Sequence, residues 1–249
     1  MKKFSLAIVL VFGWCSVTNA DDFPWLASLD ANDGVQASGA RLVALSEGLY
    51  ALERVSPQTT ELLVAVHGWR SRGYEWVYPL QTMNTDQRHV LFFSWDTEIE
   101  RCLLEVKTLL LDAIKVQLSN HAEIEAVTVV GHSLGGLLVA LLADAWDADV
   151  PLTIHTIAAP LAHLASEAHD CPRSLPERSR HDVRFIQWRT RFELDNAFNQ
   201  LDHNPMIVDV PDSIVVDLPE SYRDRRLGHN WSVSYVSERI AAGAASAIP

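Results

Sequence analysis

Short continuous apolar runs recur along the chain, separated by stretches whose apolar residues fall at helical spacing. Residues 62–66 (LLVAV), 90–95 (VLFFSW) and 126–130 (AVTVV) are almost wholly apolar. Runs of that length, bounded by polar residues, predict strands buried on both faces. Residues 152–158, 183–188 and 214–217 supply a fourth, a fifth and a sixth strand. Residues 74–83 have helical spacing, as do residues 99–118, where Leu103, Val106, Leu110, Ile114 and Leu118 mark one face. An apolar helix is expected over residues 134–146 and a last helix over 231–240. Residues 41–55 (RLVALSEGLYALERV) predict two short strands joined around Glu47-Gly48.

Strand and helix in alternation build βαβ units, so the expected fold is α/β, a mainly parallel central sheet with helices on both faces. One stretch breaks the rhythm. Residues 159–182 carry Pro160, Pro172 and Pro176 and many charges, and they exceed the length of a plain connection. Such an insertion is expected to form a short lid or binding loop.

The N-terminus is a separate case. Met1-Lys2-Lys3 is basic, Phe4 to Trp14 is nearly all apolar, and Thr18-Asn19-Ala20 ends in small residues. This layout predicts a signal peptide over residues 1–20, hence export to the periplasm or beyond, with residues 21–249 as one domain. Trp14 before Cys15 argues against a lipoprotein. No apolar segment reaches the roughly 18 residues needed to span a bilayer, so no transmembrane anchor is expected.

Charge and cysteine usage narrow the classes. The net charge is −12, and loss of Lys2 and Lys3 with the leader takes it to −14. That removes the basic footprint needed to neutralise phosphates, so a nucleic-acid partner is not expected. Three cysteines cannot build a disulfide scaffold or a Cys-rich zinc module. After processing, Cys102 and Cys171 remain, and an even pair in an exported protein predicts one disulfide. There is no H-E-x-x-H, Cys-x-x-Cys, P-loop or dinucleotide fingerprint, so neither metal nor cofactor is expected.

The chemistry concentrates at Gly131-His132-Ser133-Leu134-Gly135, a G-x-S-x-G pentapeptide between a predicted strand and a predicted helix. A sharp turn there strains the Ser backbone, and glycine on either side avoids a clash. The Ser hydroxyl then stands at a helix N-terminus, where free amides favour developing negative charge.

These residues resemble the α/β-hydrolase superfamily, specifically its lipase and esterase branch. GHSLGG at 131–136 resembles the nucleophile elbow, His67-Gly68-Trp69 the oxyanion loop, and Gly228-His229-Asn230 the loop carrying the catalytic His. The order Ser133, acid, His229 matches the superfamily order. The HGGG run of that branch is absent. The resemblance spans about residues 62–240 and leaves 21–61 unexplained beyond edge strands.

Roles follow from the chemistry. A Ser hydroxyl needs a base within hydrogen-bond reach. Among ten histidines, His229 alone sits in a Gly-containing loop just before the final helix. His132 is expected as structural support and His155 as a core residue. The orienting acid should follow the strand at 183–188, where Glu193, Asp195 and Asp202 qualify and Asp209, Asp212 and Asp217 follow. Asp195, in Asp195-Asn196-Ala197-Phe198, resembles the family's acid; Asp202 is the alternative. The backbone N–H groups of Leu134 and Trp69 are the expected oxyanion donors.

The resemblance implies hydrolysis of a small-molecule or lipid carboxylic ester through an acyl-enzyme. A thioesterase, amidase or acyltransferase would use the same parts, and a catalytically silent hydrolase-fold binding protein is a further alternative.

Overall fold

The computed structural model describes residues 25–29, 34–98, 101–164 and 182–243. The expected signal peptide, Cys171 and most of the expected lid (165–181) lie outside the described residues.

In chain order the elements are α1 (Trp25–Ser28), α2 (Val35–Val43), β1 (Gly48–Ala51), β2 (Glu61–Val66), α3 (Tyr74–Met83), β3 (Arg88–Ser94), α4 (Leu103–Asn120), β4 (Ala126–His132), α5 (Leu134–Ala140), α6 (Leu142–Ala145), β5 (Leu152–Ile157), β6 (Val183–Arg189), β7 (Ile214–Asp217), a short hairpin of β8 (Ser221–Tyr222) and β9 (Arg225–Arg226), and α7 (Trp231–Ala241). The main sheet has the order β1-β3-β2-β4-β5-β6-β7. Only β1 runs antiparallel, pairing Gly48 with Ser94; the other neighbours are parallel.

The period-2 alternation of each strand divides the core between the two faces of the sheet. On β2, Leu62, Val64 and Val66 enter one cluster with Leu110, Ile114 and Leu138, so α4 to α6 cover that face. Leu63 and Ala65 enter the other with Leu42, Trp76, Leu80 and Val236, so α1 to α3 and α7 cover the opposite face. Each fully buried Leu or Val contributes about 1.5–3 kcal/mol of transfer free energy. That two-sided burial is why the strand runs read as unbroken apolar sequence.

Three expectations need correction. The hairpin over 41–55 is absent: residues 41–43 close α2, and the single strand β1 pairs with β3. The helix over 134–146 is two pieces, α5 and α6, divided at Leu141. The helix expected from residue 99 starts at Leu103, because Cys102 before it is extended, with φ −64° and ψ 123°. Cys102 is disulfide-bonded. Of the expected lid, Leu161–Leu164 form one 3-10 turn.

Among the described residues, no helix is long and apolar enough to cross a membrane.

Candidate active site

Ser133 sits between β4 and α5 with φ 54° and ψ −122°, a region that side-chain-bearing residues rarely occupy. Two backbone bonds hold it there. Its N–H donates to Ile157 O at 2.9 Å, and its carbonyl accepts from Gly136 N–H at 2.9 Å. The flanking glycines are needed for space. A Cβ on Gly131 would lie 2.4 Å from Gly135 O, one on Gly135 2.5 Å from Val66 O, and one on Gly136 2.4 Å from the Ala159 Cβ. The pentapeptide is therefore a packing solution in which β4, α5 and the end of β2 approach backbone to backbone.

The His67-Gly68-Trp69 segment closes against this turn. A Cβ on Gly68 would meet the Ser133 Cβ at 2.8 Å and the Leu134 N at 3.5 Å. His67 anchors the segment, since its Nε2 accepts from Trp95 N–H and its carbonyl accepts from the Trp95 indole at 3.1 Å. Burial pulls the His67 pKa down, which keeps the ring neutral and Nε2 free to accept. Trp69 is 56% exposed, with the Arg70 guanidinium over its ring at 4.4 Å.

Asp195 and His229 come together from 34 residues apart. His229 Nδ1 lies 3.0 Å from the Asp195 carboxylate. A 3-10 turn at Phe192–Leu194 folds the chain back after β6 and leaves Asp195 fully buried. Its carboxylate also accepts the Thr190 hydroxyl at 2.5 Å and the Ala197 N–H at 3.0 Å. A buried carboxyl group held by these partners fixes the imidazole that it faces. The competing acids Glu193, Asp202, Asp209, Asp212 and Asp217 are all solvent-exposed. Phe198 adds an edge-on ring contact to His229 at 4.9 Å.

His132 points away from Ser133 and supports His229 instead. Its Nε2 donates to the His229 carbonyl at 3.2 Å, and the two rings lie 4.6 Å apart. Burial first, and the neighbouring His229 second, hold its pKa well below the usual imidazole range. A neutral His132 imposes no like-charge penalty when His229 takes up a proton. His155 is a core residue as expected, with its Nδ1 accepting the Trp188 indole at 2.9 Å.

Ser133 and His229 line one pocket of about 140 Å³ with Gly68, Trp69 and Tyr74. Sequence reasoning missed another of its residues, Glu75. Its side chain is only 6% exposed, accepts the Ser71 hydroxyl on Oε1, and leaves Oε2 buried without a hydrogen-bond partner. Burial pushes this carboxyl above the usual carboxylate range, against the opposing pull of Ser71. A Glu in the first turn of an amphipathic helix reads as a solvated charge, so no sequence signal sets it apart. Among the described residues, no group of three His, Cys, Asp or Glu could hold a metal ion.

With this geometry in hand, the chain can be set beside known proteins. The family model described as a PGAP1-like alpha/beta domain matches residues 69–172. No curated protein matches the chain in sequence. A putative dienelactone hydrolase from Klebsiella pneumoniae is similar in structure, with TM-score 0.52 and 11% identity over 79% of this chain and 89% of that one. A putative thioesterase from Silicibacter sp. is similar with TM-score 0.51 and 18% identity, over 92% of this chain and 94% of that one. A lidless α/β serine hydrolase from Xanthomonas campestris gives TM-score 0.50 and 11% identity, over 81% and 89%. At such identities the likeness speaks to fold, and it agrees with the strand order, the lone antiparallel edge and the strand-to-helix turn at Ser133. The chain adopts the α/β-hydrolase fold.

Proposed function

We propose that the protein is a serine hydrolase of carboxylic esters, with Ser133 as nucleophile, His229 as base and Asp195 as the orienting acid. The observation that carries this reading is the buried Asp195 bonded at 3.0 Å to a His229 that shares a pocket with Ser133. Asp195 holds the Nδ1–H tautomer of His229, which leaves Nε2 to take the Ser133 proton. The Ser133 oxygen then attacks the ester carbonyl. The oxyanion is stabilised by the backbone N–H groups of Leu134 and Trp69, and removing a donor of this kind costs about 10²–10³ in kcat. His229 passes its proton to the departing alcohol, and water releases the acyl group by the same steps. Esterase and thioesterase chemistry share every one of these parts. We propose further that residues 1–20 direct export and are removed, which N-terminal sequencing of the secreted or periplasmic protein would test.

The test is hydrolysis of p-nitrophenyl esters from two to sixteen acyl carbons by the mature protein and by Ser133→Ala. Turnover that the substitution abolishes supports the reading. Turnover that survives it, or a folded protein that cleaves thioesters and no oxygen ester, contradicts it.

A further inference from the structure

The catalytic pocket, at about 140 Å³, leaves little room for the longer limbs of an ester, since small-molecule sites commonly occupy about 300–1,000 Å³. A second pocket of about 390 Å³ adjoins it, and the two share Tyr74, Glu75 and Asn230 as lining. This pocket opens between α2, α3, α7 and the β8–β9 hairpin. Val35, Tyr78 and Trp231 supply its apolar surfaces, with exposed Gln36 and Arg225 also lining it.

Its walls are fixed rather than incidental. Trp231 donates its indole N–H to Tyr222 O at 3.2 Å and is covered by Arg225 at 4.8 Å from its ring. Tyr78 donates to Glu238. Asn230 donates to the Tyr74 hydroxyl at 2.6 Å, where the two pockets meet. The α2 wall is set by close backbone contact, because a Cβ on Gly39 would lie 2.2 Å from Tyr74 N. Val35 is left 42% exposed on this wall, and Glu75 stands at the junction of the two pockets.

We propose that this second pocket receives the alkyl limb of the ester's leaving alcohol. The direction follows from chemistry, given the ester-hydrolase reading on which the proposal rests. The bond that breaks joins the carbonyl carbon to the alcohol oxygen, and the proton on His229 goes to that oxygen. The alcohol limb therefore lies on the His229 side of the site. Asn230 and Trp231, the next two residues in the chain, both line the second pocket.

Two ester series measure this. In acetates of alcohols from two to eight carbons, kcat/KM of the wild-type chain rises about fourfold for each methylene that enters the pocket. In ethyl esters of acids from two to eight carbons, it rises less. Val35→Trp and, as a second plug, Gln36→Trp flatten the alcohol series to under about a third of its slope and leave the acyl slope as it was. Val116→Trp, on the opposite face of the sheet, is the control and leaves both slopes unchanged. A steep acyl series flattened by the plugs, or an alcohol series indifferent to both, overturns the proposal. Calorimetric binding of 1-octanol to Ser133→Ala keeps the pocket testable if no ester is cleaved. Octanol bound there and lost on adding Val35→Trp supports the pocket while the esterase reading fails, and no binding overturns the pocket itself.

Discussion

His132, at the end of β4, holds the loop of His229: its Nε2 donates to the His229 carbonyl at 3.2 Å, 97 residues away in the chain. His132 thus helps to set where His229 stands. His132→Phe keeps an aromatic ring of similar size but removes the donor. A net hydrogen bond is worth about 1 kcal/mol, so kcat should fall about fivefold to tenfold with little change in KM. A larger rise in KM than fall in kcat would mean that His132 acts on substrate binding instead.

Asp195→Asn tests the tautomer. An amide in place of the carboxylate donates where the imidazole also needs to donate, so His229 turns its proton the wrong way. By analogy with other Ser-His-Asp enzymes, kcat falls by about 10⁴. Asp202→Asn, a change at an exposed site, should leave the rate within twofold or so. Equal losses in the two variants would remove Asp195 from its assigned role.

Gly68 and Trp69 separate backbone from side chain. Gly68→Ala places a methyl group 2.8 Å from the Ser133 Cβ and 2.9 Å from the His132 carbonyl. The segment must shift, and kcat should drop by about 10² or more, the scale of a lost oxyanion donor. Trp69→Phe changes only an exposed ring and should retain most of the activity. If folded Trp69→Phe is as inactive as Ser133→Ala, the oxyanion donor has been misplaced.

Glu75 makes a pH-dependent contribution to stability. Its carboxyl titrates above the ordinary 4.5 in the folded protein because burial disfavours the charge. The unfolded chain therefore releases this proton first as pH rises. The stability that neutral Glu75 gives is complete below the unfolded pKa and is lost as pH climbs through the folded one. Glu75→Gln cannot titrate, so it should gain on the wild type from pH 4.5 upward, by at most about 1.4 kcal/mol per pH unit. Urea midpoints across that range measure the difference, and a constant gap would show that Glu75 does not titrate in the folded state's favour.

Legibility followed burial. Strands β2 and β4 read clearly because both faces are covered, and the elbow read clearly because Gly131, Gly135 and Gly136 have no room for a Cβ. Helix α2 was hidden for the converse reason. Its packed face consists of Ser38, Gly39 and Leu42, so the closest contacts are made by small residues and only Leu42 gives that face apolar bulk. Poor intrinsic helix formers are held there by tertiary contact, including Gly39 against Gly73 and Tyr74. The continuous apolar run over residues 42–45, followed by Ser46-Glu47-Gly48, then imitates the first strand of a hairpin and its turn. Asp195 was visible as one acid among several, but its complete burial under Thr190 and Ala197 depends on a 3-10 turn that leaves no hydrophobic pattern. Glu75 and the pocket beyond it depend on helices meeting from distant parts of the chain.

The central claim is that Ser133 is an activated nucleophile, and one labelling experiment reaches it directly. The native protein is treated with a fluorophosphonate and the modified peptide is read by mass spectrometry. The account predicts a single adduct on Ser133, absent from the unfolded chain and slowed at least a hundredfold in His229→Ala. No adduct on a folded protein, or labelling of Ser133 at the same rate without His229, would contradict it.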